Sequence, residues 1–398
     1  MKYKTYKIKD LINEISMGPF GSNIKVECFV DSGIPVLNGS NLTEFALNDN
    51  SFRYVTPEKA DSLGKANAYR GDIVITHRGT LGQIVFIPEN SKHSRYVISQ
   101  SQFRVKCNEK ILPEYLVYYF HTNAGQHKLL SNASQVGVPA LARASTTFQT
   151  LEIDIPDVTE QRKIVDLLET IREKIELNNA INNNLEQQAK AIFLNEFLTL
   201  ETLPDGWKQA SLIDIADYLN GLAMQKYRPT ADETGIPVLK IKELRQGCCD
   251  DNSELCSPSI KSEYIIHDGD VIFSWLGSLL VDFWCGGICG LNQHLFKVTS
   301  NKYNKWFYYA WTKHHLDRFI AVAADKATTM GHIKRDELSK AEVLIPNEAD
   351  YKRIETLLQP IYDLIIANRI ENKKLAETRD ALLPKLMSGE LDVSDIKL

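Results

Sequence analysis

A chain of 398 residues has room for two or three domains, and 43% hydrophobic with 24% charged residues is an ordinary globular balance. A net charge of -5 excludes a protein that coats nucleic acid by bulk charge. Only residues 1–155 lean basic, so phosphate neutralisation would have to come from local patches or partner subunits. Seven cysteines, an odd number, and no apolar secretory stretch in residues 1–10 point to a reducing cytoplasm.

In chain order, the first polar loop is residues 18–25 (GPFGSNIK). Its Gly-Pro and Gly-Ser steps predict tight turns that bring backbone N–H groups, Ser22, Asn23 and Lys25 to a phosphate, or a plain strand connection. Asn38, Ser40 and Asn41 follow; asparagine bonds adenine in two places, and equally closes an Asx-turn. Strands are predicted over residues 72–76, 83–87 and 102–105, bounded by Gly, Pro and Asn. Thr76, Arg78 and Thr80 fall at a hairpin tip, where Arg78 is the best single candidate for a guanine or phosphate contact. Gln100 and Gln102 flank an alternating strand. Residues 112–122 (LPEYLVYYFHT) predict a short helix whose aromatic rings are core, not stacking platforms.

A long helix is predicted from about residue 159 to 197. Heptads place Ile164, Ile171, Asn178, Leu185 and Ile192 at one seam position. Leu168, Ile175, Asn182, Ala189 and Glu196 take the other.

Beyond this helix the chain repeats itself. Residues 33–37 (GIPVL) recur at 235–239, 71–80 (GDIVITHRGT) as 269–278 (GDVIFSWLGS), 99–105 (SQSQFRV) loosely as 292–298 (NQHLFKV), and Ile155-Pro156 as Ile345-Pro346. The order is kept and the spacing shrinks steadily, as small deletions would produce. Residues 306–313 predict a second aromatic helix. A second long helix, about 350 to 387, repeats the seam with Ile354, Ile361, Asn368, Leu375 and Leu382, then Leu358, Ile365, Asn372, Arg379 and Leu386. Both seams turn to asparagine at the same two places, and a core asparagine fixes register at some cost in stability. Each domain precedes its own helix, so antiparallel pairing is favoured and would set the domains at opposite ends of a rod. Pro360 is expected to break or kink the second helix, and Pro384 to end its regular part early. The fold class read from this is α+β: two homologous mixed domains (1–156 and 200–346), separated by antiparallel coiled-coil helices (157–199 and 347–398).

The second copy carries different loop chemistry. Gln225, Lys226, Tyr227 and Arg228 lie just beyond the matching glycine, Lys240 and Lys242 replace the asparagines, and Ser274-Trp275 replace His77-Arg78. Asn292, Gln293, His294, Thr328 and Thr329 complete the set. A kept framework with altered loops suits two readers of different sequences, and equally a copy that has lost its role.

No triphosphate loop, HExxH, GxSxG or paired CxxC occurs, nor any Pro-Pro of an amino-methyltransferase motif. The single Glu-x-Lys lies on the second long helix, where a solvated face explains it. Cys249 and Cys256 with Cys285 and Cys289 lack ribbon or finger spacing, so idle thiols outweigh a zinc site. Residues 271–291 are apolar enough to suggest a membrane helix, but Asp282 and a strand-like counterpart in the first copy argue otherwise.

These residues carry a resemblance. The chain resembles the specificity (S) subunit of a type I restriction–modification system, through residues 17–25 (MGPFGSNIK), 69–80 (YRGDIVITHRGT), 153–164 (IDIPDVTEQRKI) and 382–393 (LLPKLMSGELDV). Asp350-Tyr351 depart from the pattern where the first copy has Glu160-Gln161. The resemblance implies a non-catalytic, cytoplasmic subunit of a phage-defence system that reads double-stranded DNA, with one target recognition domain per half-site. It implies two methyltransferase (M) and two restriction/translocase (R) subunits as partners, which would hold S-adenosylmethionine, ATP and Mg; this chain would hold no cofactor. About 38 helical residues make a rod of roughly 57 Å. That caps the half-site separation near about 17 base pairs, and domain width shortens it to about one helical turn. The competing readings are a self-contained DNA-modifying enzyme and a coiled-coil scaffold that never touches DNA.

Overall fold

The structure, a computed structural model, describes residues 2–134, 137–325 and 335–394. It divides into two compact units, residues 1–172 with 377–398, and residues 173–376.

The first unit holds two four-stranded sheets. One is fully antiparallel, in the order Ile12–Met17, Gln102–Cys107, Ile73–Thr76, Ile84–Phe86. The other runs Arg53–Val55, Ile34–Val36, Arg95–Val97, Asn67–Tyr69, with a parallel central pair at Val36 and Val97. Lys4–Lys7 pairs with Glu152–Ile155 and closes the unit. Ile73–Thr76 is buried along its whole length, which explains its run of β-branched residues. The helix Pro113–His121, with proline in its first turn, buries Tyr115, Tyr118, Tyr119 and Phe120 against the sheet.

The second unit repeats this arrangement strand for strand. Its antiparallel sheet runs Asp217–Asn220, Leu295–Thr299, Val271–Ser274, Leu280–Phe283. The other runs Leu255–Cys256, Ile236–Leu239, Cys289–Leu291, Ile265–Ile266, again with a parallel centre, at Val238 and Gly290. Residues 271–291 are thus three short strands, and among the described residues no helix is long and apolar enough to cross a membrane. Lys305–His314 is the matching aromatic helix.

Each unit also carries a paired cation at one matching position, buried as Arg104 and half-buried as Lys297. Opposite Val74, Arg104 reaches Asp72 at 3.3 Å, Glu14 at 2.9 Å and the Lys65 carbonyl at 2.9 Å. Opposite Ile272, Lys297 reaches Asp270 at 2.9 Å and the Ile265 carbonyl at 3.0 Å. The Gly-Asp step of the repeated motif supplies the anion in both copies. The departure at Asp350-Tyr351 has a similar explanation. Buried Gln161 accepts the Leu112 N–H at 3.0 Å, and Tyr351 accepts the Asn304 N–H at 3.0 Å. Both therefore clasp the start of the aromatic helix.

The long helices run Val158–Phe193 and Glu348–Ser388. In the first unit Ile164 and Leu168 share a core with Leu383 and Leu386, and in the second Ala189 shares one with Ile354 and Leu358. Early residues of one helix thus meet late residues of the other, which is antiparallel packing. The asparagines follow the same rule inside the second unit. Asn368 Nδ2 donates to Asn182 Oδ1 at 2.9 Å, and Asn178 Nδ2 donates to Asn372 Oδ1 at 2.8 Å.

Two expectations about the helices need correction. The second helix is not broken at Pro360 and runs on past Pro384 to Ser388, because buried Leu358, Tyr362 and Ile365 around one and Leu383, Leu386 and Met387 around the other hold it by packing. The first seam also drifts. Phe193 and Phe197, at steps of four from buried Ala189, enter the core beside partly buried Ile192, while Glu196 pairs with Arg353, and the last turn widens into a π-helix at Leu194–Leu198.

Asn182 and Asn368 are both buried. Asn368→Leu alone leaves the Asn182 amide short of a partner and should cost about 1–3 kcal/mol. Replacing both by leucine should recover that loss, since an apolar pair removes both polar groups together. A double-mutant cycle on the full chain by chemical denaturation checks this; additive losses would show that the two amides do not act as a pair.

Candidate nucleic-acid interface

In the first unit four loops converge where the two sheets meet. Gly18 N–H donates to the Gln102 carbonyl at 2.8 Å, so the Gly-Pro loop lies on the turn before Gln102–Cys107. His77 N–H donates to the Ser101 carbonyl at 2.8 Å, and His77 Nε2 meets the Gln100 carbonyl at 3.2 Å, which brings the hairpin tip to the same turn. Burial lowers the His77 pKa, so the ring is neutral near pH 7. Gln83 links the fourth loop, accepting the Thr76 hydroxyl at 3.1 Å and donating to the Gly39 carbonyl at 2.9 Å. No motif singles out Gln83, and sequence reasoning missed it.

Around this junction Asn23, Lys25, Asn38, Ser40, Arg78, Thr80 and Gln100 are exposed. Neither Lys25 nor Arg78 has an ion pair among the described residues. Asn38 spends its side-chain oxygen on Ser40, accepting the backbone N–H at 2.8 Å and the hydroxyl at 2.6 Å, which leaves its NH2 outward.

Three residues are withdrawn from the surface because the domain buries their side chains. Asn41 is fully buried, donating to the Asn48 and Asn50 carbonyls at 3.0 and 2.8 Å while accepting the Asn38 N–H. Thr76 is buried against Gln83, and buried Gln102 accepts the Ser99 N–H at 2.9 Å. The Ser22 side chain lies outside the described part of the structure.

The second unit builds the same junction. Gly221 N–H donates to the Leu295 carbonyl at 3.0 Å and Gln293 N–H to the Leu222 carbonyl at 2.9 Å. Gln225, Lys226, Tyr227 and Arg228 are exposed. Here Arg228, Lys240 and Lys242 have partners. Glu254 takes Lys240 at 2.9 Å and Arg228 at 3.4 Å, and Asp250 takes Lys242 at 3.0 Å. The hydrogen bond from Lys242 holds the Asp250 carboxyl below its usual range, and that from Lys240 does the same for Glu254. Such exposed pairs are weak, so a phosphate can compete for the cations.

Strand registers correct two substitutions inferred from sequence. Thr76 pairs with Gln102 and Ser274 with Leu295, while Ile75 and Phe273 face Phe103 and Phe296. Ser274 therefore stands in place of Thr76, Trp275 of His77, and Leu276 of Arg78. The counterpart of Asn41 is Glu243, not Lys242: Glu243 accepts the Lys240 N–H as Asn41 accepts that of Asn38. Ser274 and Asn292 are buried, Ser274 bonded to the Ser278 carbonyl at 2.9 Å and Asn292 accepting the His294 N–H at 3.2 Å. Both are structural. Half-buried Trp275 donates to Asn220 at 3.1 Å, and Gln293 lies beside His294 at 3.3 Å. Thr328 and Thr329 lie outside the described residues.

Burial pushes the Cys249 and Cys285 thiols up to about 11. Among the described residues no group of three or more His, Cys, Asp or Glu side chains could hold a metal ion.

Two domains of one topology, each ending in a junction of exposed cations and amides whose identities differ between copies, define a tandem sequence reader. The sequence pattern of the family described as "Type I restriction modification DNA specificity domain" matches residues 2–187 and 204–377, and the chain belongs to that family. It is the sequence-specific DNA-recognition subunit of a type I restriction–modification complex. Relatives include the type I restriction enzyme MjaIX specificity subunit of Methanocaldococcus jannaschii, 25% identical over 98% of this chain and 94% of that protein. The HindI specificity subunit of Haemophilus influenzae is 21% identical over 81% of this chain and 87% of its own length. The crystal structure of the S subunit from M. genitalium shares the fold, with a TM-score of 0.60 at 13% identity, over 97% of this chain and 96% of that one.

Proposed function

We propose that the target is bipartite, with residues 1–156 contacting one half-site and residues 200–346 the other, while the helical segments 157–199 and 347–398 set the spacing. The observation that carries this reading is the repeated loop junction, built on the same strand order and different in side chains. Asn23, Lys25, Asn38, Ser40, Arg78, Thr80 and Gln100 form the first contact set. Gln225, Lys226, Tyr227, Arg228, Lys240, Lys242, Trp275, Gln293 and His294 form the second. Arg78 and Lys25 offer uncompensated charge to phosphate or guanine, whereas the second set exchanges carboxylate partners for phosphate as it binds.

Two methyltransferase and two restriction/translocase subunits complete the complex, which works in the cytoplasm. Two cavities support a doubled partner. In the first unit about 820 Å³ opens between Tyr119, Lys128 and Met387, and in the second about 630 Å³ opens between Ala310, Lys313 and Leu198. Each lies between an aromatic helix and a long helix, with different lining residues, and each offers a surface for one partner subunit.

Mapping methylated adenines in a host carrying this chain with its methyltransferase tests the reading. The expected pattern is two specified blocks around an unspecified spacer. A four-residue insertion in each long helix adds about 6 Å, or roughly two base pairs. It should lengthen the spacer and leave both blocks unchanged. New blocks with the old spacer would contradict it.

A further inference from the structure

The exposed apolar surface of the first unit's reading loops is concentrated around Phe20. This ring is 84% exposed, and Val26, six residues on, is 79% exposed. The second copy has no ring at the matching position; its exposed loop aromatic, Tyr227, stands four residues further on and is 39% exposed. Met17 pairs with Phe103 as Asn220 pairs with Phe296, which sets Ala223 in the place of Phe20 and Pro229 in that of Val26.

A single exposed side chain requires no explanation, but the backbone that presents this one is pinned on both sides. Gly18 is hydrogen bonded to Gln102, and a Cβ on Gly18 would overlap the Ser99 carbonyl. A Cβ on Gly21 would overlap the Gln100 carboxamide. Pro19 fixes its own φ, and Asn23 N–H closes the turn onto the Phe20 carbonyl at 2.8 Å. The backbone is hydrogen bonded where the ring is free. Exposed Asn38, Gln100 and Arg53 line the same hollow as the ring. That hollow, a cavity of about 340 Å³, is also lined by Phe29, with the Arg53 guanidinium 5.2 Å from the Phe29 ring centre.

We propose that Phe20 is a wedge, inserting its ring against one base step of the first half-site, so that this half is read partly by how readily that step unstacks. The inference rests on the reading that residues 1–156 contact DNA. An apolar ring on a preorganised turn loses little freedom on insertion, and partial unstacking is how such side chains kink a duplex. DNA is favoured over a protein partner because the ring shares its hollow with an exposed arginine, Arg53, and two amides, Asn38 and Gln100, suited to phosphate and base edges. The second half-site, facing Ala223, receives no wedge.

The test uses the full chain assembled with its methyltransferase subunit, and duplexes carrying the methylated target with 2-aminopurine at successive positions in each half. Away from the methylated adenines, which the methyltransferase itself unstacks, binding should raise fluorescence at one step of the first half-site and at none of the second. Phe20→Ala should abolish that rise and weaken binding about ten-fold. Phe20→Trp should keep most of both. Wild-type fluorescence and affinity in Phe20→Ala would overturn the wedge. Unchanged DNA affinity with weaker methyltransferase association would overturn it in favour of a protein contact. A wild-type complex that binds DNA without needing the first half-site would overturn the underlying reading of residues 1–156, and the wedge with it.

Discussion

Arg104→Met is expected to lower the stability of the first unit by about 3–5 kcal/mol, the usual cost of removing one partner from a buried ion pair. Arg104 and Asp72 are both buried, and the same guanidinium binds Glu14 and the Lys65 carbonyl. Burial already pushes the Asp72 carboxyl above its usual range despite the Tyr69 N–H and the arginine. Burial also works against Glu14, yet the hydrogen bond and charge of Arg104 hold that carboxyl below its usual value.

The pH dependence follows from these directions. Without Arg104 the folded pKa of Asp72 rises further, and a raised carboxyl costs stability above its folded pKa and nothing below its unfolded one. The stabilisation of Glu14, present above its unfolded pKa, is lost in the variant at neutral pH and in the wild type only in acid. Both effects make the deficit largest near pH 7 and smaller as pH falls. The second unit supplies the control, because Lys297 fills the same position there. Arg104→Lys should therefore cost much less. All five tryptophans lie in the second unit, so amide exchange over residues 73–107 should report the loss while tryptophan emission moves little. Equal losses for Lys and Met would show that bulk, not charge, is what the site needs.

The architecture was legible because it is written twice. The GIPVL and Gly-Asp segments recur, and the heptad seams of both helices carry asparagine at matching places, so strands, aromatic helices and coiled coil could be placed from pattern alone. Individual polar residues were not legible. Asn41 and Asn38 stand three apart in one loop, but one is buried by two carbonyls and the other turns its NH2 outward. The same side-chain groups that read base edges also close turns, and only burial separates the two uses. Thr76, Gln102, Ser274 and Asn292 fall on the structural side for that reason. The prolines misled because local propensity is weaker than the apolar packing around Leu358 and Leu386. Phe20 escaped notice because a sequence does not distinguish an exposed ring from a core one.

The second large effect is complete replacement of half a recognition sequence. If each junction contacts its own half-site, its loops alone carry the base identities, and the framework beneath is interchangeable because both copies already share it. Exchanging residues 1–155 for the matching domain of another member of the family should therefore replace one block of the methylated sequence, leaving the other block and the spacer unchanged. Genome-wide mapping of methylated adenines with the exchanged chain is the direct measurement. One new block beside one old block is the predicted result. An unchanged sequence, or the simultaneous loss of both blocks in a complex that still assembles and methylates, would contradict independent reading by the two domains.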